Sequence, residues 1–188
     1  MPVGTAEIGI DLGLLNQATC SDQDEPNRRD NLTGRYAEPL AQAQRARKAK
    51  RVKAIHAKIA NSRKNWTHKL STAIVLRALL IVVGNVSSAK LAKTRFAKSV
   101  YDASWSDFKA QLVYKAIRLG VRYVEVNEAW SSITCADCGA RSGPRGLRAL
   151  GVRVWQCSHC GVIHDRDSNA AQNILRLGRE ALLRNPPT

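Results

Sequence analysis

The stretch EIGIDLG at residues 7–13 predicts a β-strand that starts almost at the N-terminus and carries an acid. Ile8, Ile10 and Leu12 alternate as the buried positions of a strand do. Asp11 interrupts this apolar pattern, where an unpaired charge is costly. A metal ligand is therefore favoured at Asp11, and an ordinary turn aspartate is the alternative.

The segments that follow alternate between strand and helix patterns. A short strand at residues 18–21 can pair antiparallel with the first, residues 22–38 read as a loop, and residues 39–60 predict a helix. A second helical stretch places Trp66, Leu70 and Ile74 four residues apart. The apolar run LLIVV at residues 79–83 predicts a buried central strand, and residues 84–103 read as a loop. A helix is predicted at 105–119, where Ser104 and Asp107 would cap its start and Gly120 would end it. A strand at 121–126 and a helix at 168–183 complete an α/β domain.

Four of the five cysteines form two Cys-x-x-Cys pairs, Cys135 with Cys138 and Cys157 with Cys160. The 18 residues between the pairs match the spacing of a structural zinc site. Four thiolates would close a tetrahedron around Zn²⁺ and leave no position for a reacting water. Redox pairs or disulfides are the alternatives for the pairs, and His159 is a less well-spaced substitute ligand.

The formal net charge of +15 indicates a polyanionic partner, most commonly nucleic acid. The basic residues of the predicted helix pair are candidates for phosphate contacts, namely Arg45, Lys48, Arg51 and Lys58. Aromatic residues make up only 5%, so base stacking is not expected to be the main means of binding. Without an apolar anchor or a secretory signal pattern, the chain is expected to act in the cytoplasm and not at a membrane.

A second group of acids lies in HDRDSNAAQNI, residues 164–174, directly before the last predicted helix. Asp165 and Asp167 are both candidate metal ligands. Helix capping by Asp167 or Ser168 is the alternative interpretation.

The motifs GIDLG, CxxCG, WxCxxCG and DRDxNAAxNI, in that order, closely resemble the C-terminal half of the TnpB family. These transposon OrfB proteins are similar to type V CRISPR effectors. The resemblance implies a RuvC-like RNase H fold in which three carboxylates bind two Mg²⁺ ions and cut DNA at a site chosen by guide RNA. It also implies a prokaryotic host, a core formed by residues 1–131 and 163–188, and a zinc ribbon inserted at 132–162.

Carried over by motif, Asp11 and Asp167 match the first and last catalytic acids. Gly84 stands where the family usually has its middle acid, and some branches of the family place that acid just before the first zinc knuckle instead. Glu128 lies at that place, with Glu125 as the second candidate and an exposed strand-end acid as the alternative.

The family also has a large N-terminal region, whereas here the first strand begins within ten residues of Met1. A truncated product, an isolated domain or part of a split system is therefore expected, of undetermined oligomeric state. Two functions remain open: a metal-dependent endonuclease, and a catalytically inactive zinc-ribbon protein that binds nucleic acid.

Overall fold

A computed structural model describes residues 4–13, 16–22, 32–85, 104–146, 149 and 151–184. It has a four-stranded mixed sheet, a small two-stranded sheet and five helices within these residues. The α/β class predicted from the sequence is confirmed. The loop predicted over residues 84–103 falls almost wholly outside the described residues.

The larger sheet comprises β1 (Ala6–Asp11), β2 (Thr19–Cys20), β3 (Ala78–Gly84) and β4 (Arg122–Val126), in the spatial order β2-β1-β3-β4. Strand β2 pairs antiparallel with β1, whereas β1, β3 and β4 run parallel. All four strands lie where the hydrophobic patterns predicted them. Because β1, β3 and β4 are parallel, their carboxyl ends meet at one edge of the sheet.

Helices α1 (Leu32–Arg35), α2 (Ala37–Arg45), α3 (Ala49–Arg77), α4 (Trp105–Leu119) and α5 (Arg166–Arg184) complete the fold. One core cluster joins α3 and α4 to one face of the sheet, through Ile74 and Phe108 against Ile81 and Val83. Leu80 and Val82 point the other way and pack with Ile174 of α5. The alternation along β3 therefore produces a three-layer domain with the sheet in the middle.

Two predictions about the basic helices were wrong. The helix expected over residues 39–60 is broken after Arg45, because Arg47 adopts a left-handed conformation with φ of 52°. Its N–H and that of Lys48 donate back to Gln44 and Ala43, which closes the helix end as a Schellman motif does. Beyond the break, α3 runs without interruption through the two stretches predicted as separate helices.

Three local details also differ from expectation. Residues 32–38, predicted as loop, contain α1 and the start of α2. Ser104 makes no side-chain capping hydrogen bond to α4, since its backbone is left-handed with φ of 48°. Gly120 does end α4 as predicted, in the left-handed conformation with φ of 68°.

Helix α5 lies close against the sheet because Gly9 has no side chain. A Cβ at Gly9 would come within 2.7 Å of Leu175, which belongs to α5. This close approach brings the first turn of α5 to the same edge as the end of β1. No described helix is both long and apolar enough to cross a membrane.

Candidate active site and cysteine cluster

Three acids meet at the edge where the parallel strands end. Asp11 is the last residue of β1, Glu128 follows the end of β4 by two residues, and Asp167 lies in the first turn of α5. Each is partly buried. The carboxylates of Glu128 and Asp167 both act electrostatically on Asp11, so the fold brings the three predicted catalytic acids together.

Glu128 fills the space that a side chain at position 84 would occupy. A Cβ built on Gly84 would lie 3.1 Å from the Cβ and 3.2 Å from the Cδ of Glu128, and it would overlap Oε2. Gly84 is the last residue of β3, directly between the ends of β1 and β4. The carboxylate of Glu128 therefore lies where an acid at the end of β3 would begin.

Glu125, the second candidate, is engaged elsewhere. Its carboxylate accepts hydrogen bonds from Lys109 Nζ and from the Tyr123 hydroxyl, both at 2.9 Å. Glu125 is exposed. It forms a surface ion pair with Lys109 of α4, and it is not among the groups that shift the pKa of Asp11.

The acids of the cluster lie in a poorly hydrated place, where negative charge is costly. Burial, together with the nearby carboxylates of Glu128 and Asp167, raises the pKa of Asp11 to about 8, against the opposing effect of Arg166 and Arg153. Burial also raises the pKa of Glu128. Glu128 Oε2 is buried without a hydrogen-bond partner. A bound cation would satisfy this oxygen and relieve the repulsion, so the donor set fits a hard divalent metal.

The two aspartates before α5 have different tasks. Asp165 caps the helix, since its Oδ1 accepts hydrogen bonds from the backbone N–H groups of Asp167 at 3.1 Å and Ser168 at 2.9 Å. The alternative in which Asp167 or Ser168 caps the helix is wrong. With capping done by Asp165, the carboxylate of Asp167 is left for another role.

Arg153, a residue of the cysteine-rich insert, contacts that carboxylate. Its Nη1 donates to both oxygens of Asp167 at 3.1 Å. Nothing in the local pattern signals the contact, which joins residues 14 apart across the insert boundary.

The four cysteines converge at the base of a hairpin formed by β5 (Val154–Gln156) and β6 (Ile163–Asp165). Their sulfur atoms all lie within 4.8 Å of one another, with Cys135–Cys160 and Cys138–Cys157 distances of 3.6 Å. Zn–S bonds of about 2.3 Å in a tetrahedron require S–S separations of about 3.8 Å. The geometry therefore fits one Zn²⁺. Gly139 and Gly161 follow the knuckles with φ of 77° and 79°, as the tight turns require.

The surroundings of the Cys157 thiol favour this interpretation. The Ser142 hydroxyl donates to Cys157 Sγ at 3.1 Å, and this bond, together with those from the backbone of Cys160 and His159, lowers the pKa of Cys157 to about 5. A thiolate is the form that binds metal. His164, which the sequence reasoning passed over, lies with Nε2 at 3.0 Å from Cys135 Sγ, whereas His159 lies outside the cluster and is exposed.

Two buried asparagines tie the insert to α5. The side-chain amides of Asn169 and Asn173 each donate to the carbonyls of Ser131 and Thr134, at 2.7–3.1 Å. Asn169 Oδ1 also accepts from the Ala136 N–H at 2.9 Å. Together these bonds fix the connection from Glu128 to Cys135 relative to Asp167, a role that the sequence reasoning missed.

The predicted phosphate-contacting residues are all exposed. They lie at the end of α2, in the turn and on α3: Arg45, Lys48, Arg51 and Lys58. The ammonium of Lys58 lies 5.7 Å from the centre of the Tyr36 ring. Their contact with nucleic acid stays a prediction.

Comparison with known families adds two matches that together cover most of the chain. Residues 2–95 match the OrfB family described as "Probable transposase". Residues 105–174, which include the cysteine-rich insert, match the family described as "Cas12f1-like, TNB domain". An acid-lined α/β core with a four-cysteine insert therefore defines a class of proteins related to transposon-encoded and CRISPR-associated proteins.

Within that class, the chain belongs to the TnpB family. It is 36% identical over 96% of its length to a Streptomyces pristinaespiralis protein named "Putative RNA-guided DNA endonuclease". It is 28% identical over 93% of its length to the Escherichia coli K12 protein named "Putative RNA-guided DNA endonuclease InsQ". The chain spans 47% and 50% of these two relatives, about half their length.

The fold is also similar to that of solved Cas12f structures. A structure described as "Cryo-EM structure of CRISPR-Cas12f Ternary Complex" matches 93% of this chain and 40% of that chain, with a TM-score of 0.66 and 17% identity. A Cas12f1-sgRNA-target DNA complex matches with a TM-score of 0.64 and 16% identity, over 93% and 50%. At these identities the likeness is one of fold.

Proposed function

We propose that this chain forms the catalytic core of an RNA-guided DNA endonuclease that hydrolyses phosphodiester bonds with Mg²⁺. The observation that carries the proposal is the meeting of Asp11, Glu128 and Asp167 at one edge of the sheet, with Glu128 over Gly84. A partly buried cluster of acids with an unsatisfied oxygen destabilises the fold, and such clusters are concentrated at functional sites. A metal-dependent nuclease explains that cost.

We propose an RNase H-like (RuvC) core made of residues 1–131 and 163–188, with the zinc ribbon at 132–162. Support comes from the strand order β2-β1-β3-β4 and from the position of the cysteine-rich insert between β4 and α5. In this arrangement the acids come from β1, from the segment after β4 and from α5. The ribbon leaves the core beside Glu128.

Asp11, Glu128 and Asp167 would hold two Mg²⁺ ions, which when bound supply the Lewis acidity that activates water and stabilises the leaving oxygen. The chain's own residues arrange this site. Asp165 caps α5 and so leaves Asp167 unconstrained by capping, while Arg153 holds Asp167 and adds positive charge beside the acids. That charge would offset repulsion between the carboxylates and a phosphodiester.

We assign a structural Zn²⁺ to Cys135, Cys138, Cys157 and Cys160. Four thiolates leave no open position, so the ion would hold the ribbon together without taking part in hydrolysis. The bonds from Asn169 and Asn173 to the root of the ribbon would carry that rigidity to Glu128.

We propose DNA and a guide RNA as partners, at work in the cytoplasm of a prokaryotic cell. Two relatives are named RNA-guided DNA endonucleases, and a solved structure of similar fold holds sgRNA and target DNA. The net charge of +15 suits such polyanions. The exposed residues Arg45, Lys48, Arg51 and Lys58 would contact phosphates without reading sequence.

The test is cleavage of end-labelled single-stranded DNA by the purified chain with Mg²⁺. Asp11→Ala and Glu128→Gln should each reduce the rate on the order of 10²-fold or more, because a lost metal ligand forfeits several kcal/mol of transition-state stabilisation. Glu125→Gln is the matched control, and it should cut as the parent does. A parent that binds DNA but never cuts it would favour the inactive zinc-ribbon protein, for which Gly84 is the sequence argument.

A further inference from the structure

Trp130 presents an exposed indole in the turn that follows Glu128. It is 57% exposed, whereas Trp105 and Trp155 are 3% and 8% exposed and contribute to hydrophobic clusters. Trp130 follows Glu128 by two residues, so their Cα atoms can be at most about 7 Å apart. An exposed tryptophan at this place gains little for the stability of the fold.

The backbone holds Trp130 in an unfavourable conformation. Its φ is 72°, in the left-handed region that bulky side chains rarely adopt. Its carbonyl accepts three hydrogen bonds, from Ile133 N at 3.1 Å, Thr134 N at 3.0 Å and Thr134 Oγ1 at 2.9 Å. A glycine would satisfy this turn without strain, so the turn itself gives no reason for an indole.

A cation from the ribbon accompanies the ring. The Arg141 guanidinium lies 5.2 Å from the centre of the Trp130 ring, within the range of a cation–π contact. Trp130 belongs to the turn that leaves the core, and Arg141 follows the first zinc knuckle. The pair therefore spans the junction between the acid cluster and the cysteine-rich insert, with much of the indole still open to solvent.

The geometry points to a stacking site for one unpaired DNA base on Trp130, with Arg141 contacting an adjacent phosphate. A flat aromatic ring beside a guanidinium suits a ligand that is itself flat and anionic, as a nucleotide is. The base must be unpaired, because neighbouring bases cover its faces inside a duplex. This inference rests on the proposed function and adds to it a means of holding the strand next to the acids.

The site is tested by binding a fluorescein-labelled oligothymidylate to the full chain in an Asp11→Ala background, which removes cleavage. Trp130→Gly should weaken binding by at least about fivefold, as expected for loss of one base–aromatic stack. The same variant should melt at the parent temperature or above, since glycine tolerates a positive φ. Trp130→Phe should keep most of the affinity.

Two further measurements separate stacking from charge. An oligonucleotide with abasic sites should bind the parent and Trp130→Gly equally well. Arg141→Ala should flatten the dependence of log K on log salt by about 0.7, as for one phosphate contact on a single strand, whereas Trp130→Gly should leave the slope unchanged. Tyr114→Ala is the matched control, because Tyr114 is 47% exposed with Lys115 5.9 Å from its ring centre.

Unchanged binding in Trp130→Gly would overturn the inference, and so would an equal loss with the abasic strand or in Tyr114→Ala. The proposed function fails differently. If Trp130 governs binding but the chain without the Asp11 change does not cut with Mg²⁺, the stacking site stands and the nuclease assignment falls. If the chain cuts and Trp130→Gly binds as the parent does, only the stacking site is lost.

Discussion

Replacing Gly84 with alanine is expected to disable the acid cluster although none of the three acids is itself replaced. The new Cβ would lie 3.1 Å from the Cβ of Glu128 and would overlap its Oε2, so the Glu128 side chain has to move. Overpacking at a buried position costs about 1–3 kcal/mol of stability. A displacement of about 1 Å at a reacting group costs on the order of 10²-fold in rate.

The assay is Mg²⁺-dependent cleavage of labelled single-stranded DNA, and the melting temperature of each variant is measured alongside it. Gly151→Ala is the matched control, because a Cβ at Gly151 meets no atom within 4 Å. The double variant Gly84→Glu with Glu128→Ala returns an acid to the end of β3. It should cut at least about tenfold faster than Glu128→Ala alone, which corresponds to about 1.4 kcal/mol of transition-state stabilisation. If Gly84→Ala cuts like the parent while Asp11→Ala is dead, Glu128 is not part of the site.

Three further outcomes follow from the metal sites and the surface charge. Elemental analysis should find one zinc per chain in the parent and none in Cys157→Ser, and zinc retained in Cys157→Ser would contradict the ribbon. Chelation should raise hydrogen exchange in residues 132–162 before it does so in the core. Neutralising Lys48, Arg51 and Lys58 together should flatten the salt dependence of DNA binding by about 0.7–0.9 per residue, and an unchanged slope would refute the phosphate contacts. Without divalent metal, the pKa of Asp11 is about 8 in the folded chain and an ordinary 3.8 in the unfolded chain. The free energy of unfolding should therefore be highest below about pH 4 and should fall as the pH rises to about 8, by at most about 1.4 kcal/mol per pH unit. Asp11→Asn should flatten that decline in urea titrations, and a parallel decline in parent and variant would show that Asp11 is not its source.

The features that the sequence predicted well are those set by neighbouring residues. Alternation in EIGID and the apolar run LLIVV identified β1 and β3, because the side chains of a buried strand have a simple period. Gly120 marked the end of α4 because glycine adopts positive φ freely. Arg47 closes α2 in the same way, and an arginine there gives no such signal.

The features that were missed depend on contacts between distant parts of the chain. Asn169 and Asn173 bond to carbonyls 35 to 42 residues away, and Arg153 reaches Asp167 across the boundary of the insert. Spacing alone also left Glu125 and Glu128 as rivals. The fold separates them, because only Glu128 turns back over the end of β3 while Glu125 pairs with Lys109.

The most direct test of the acid cluster is a crystal structure of the chain soaked in Mn²⁺, a stand-in for Mg²⁺ that anomalous scattering can locate. We expect two manganese peaks about 4 Å apart, bound by carboxylate oxygens of Asp11, Glu128 and Asp167. Glu128 Oε2, buried without a partner, should be among the ligands. Glu128→Gln crystals soaked in the same way should lose at least one peak. Manganese absent from this edge, or bound without Glu128, would contradict the assignment of these three acids as a two-metal site.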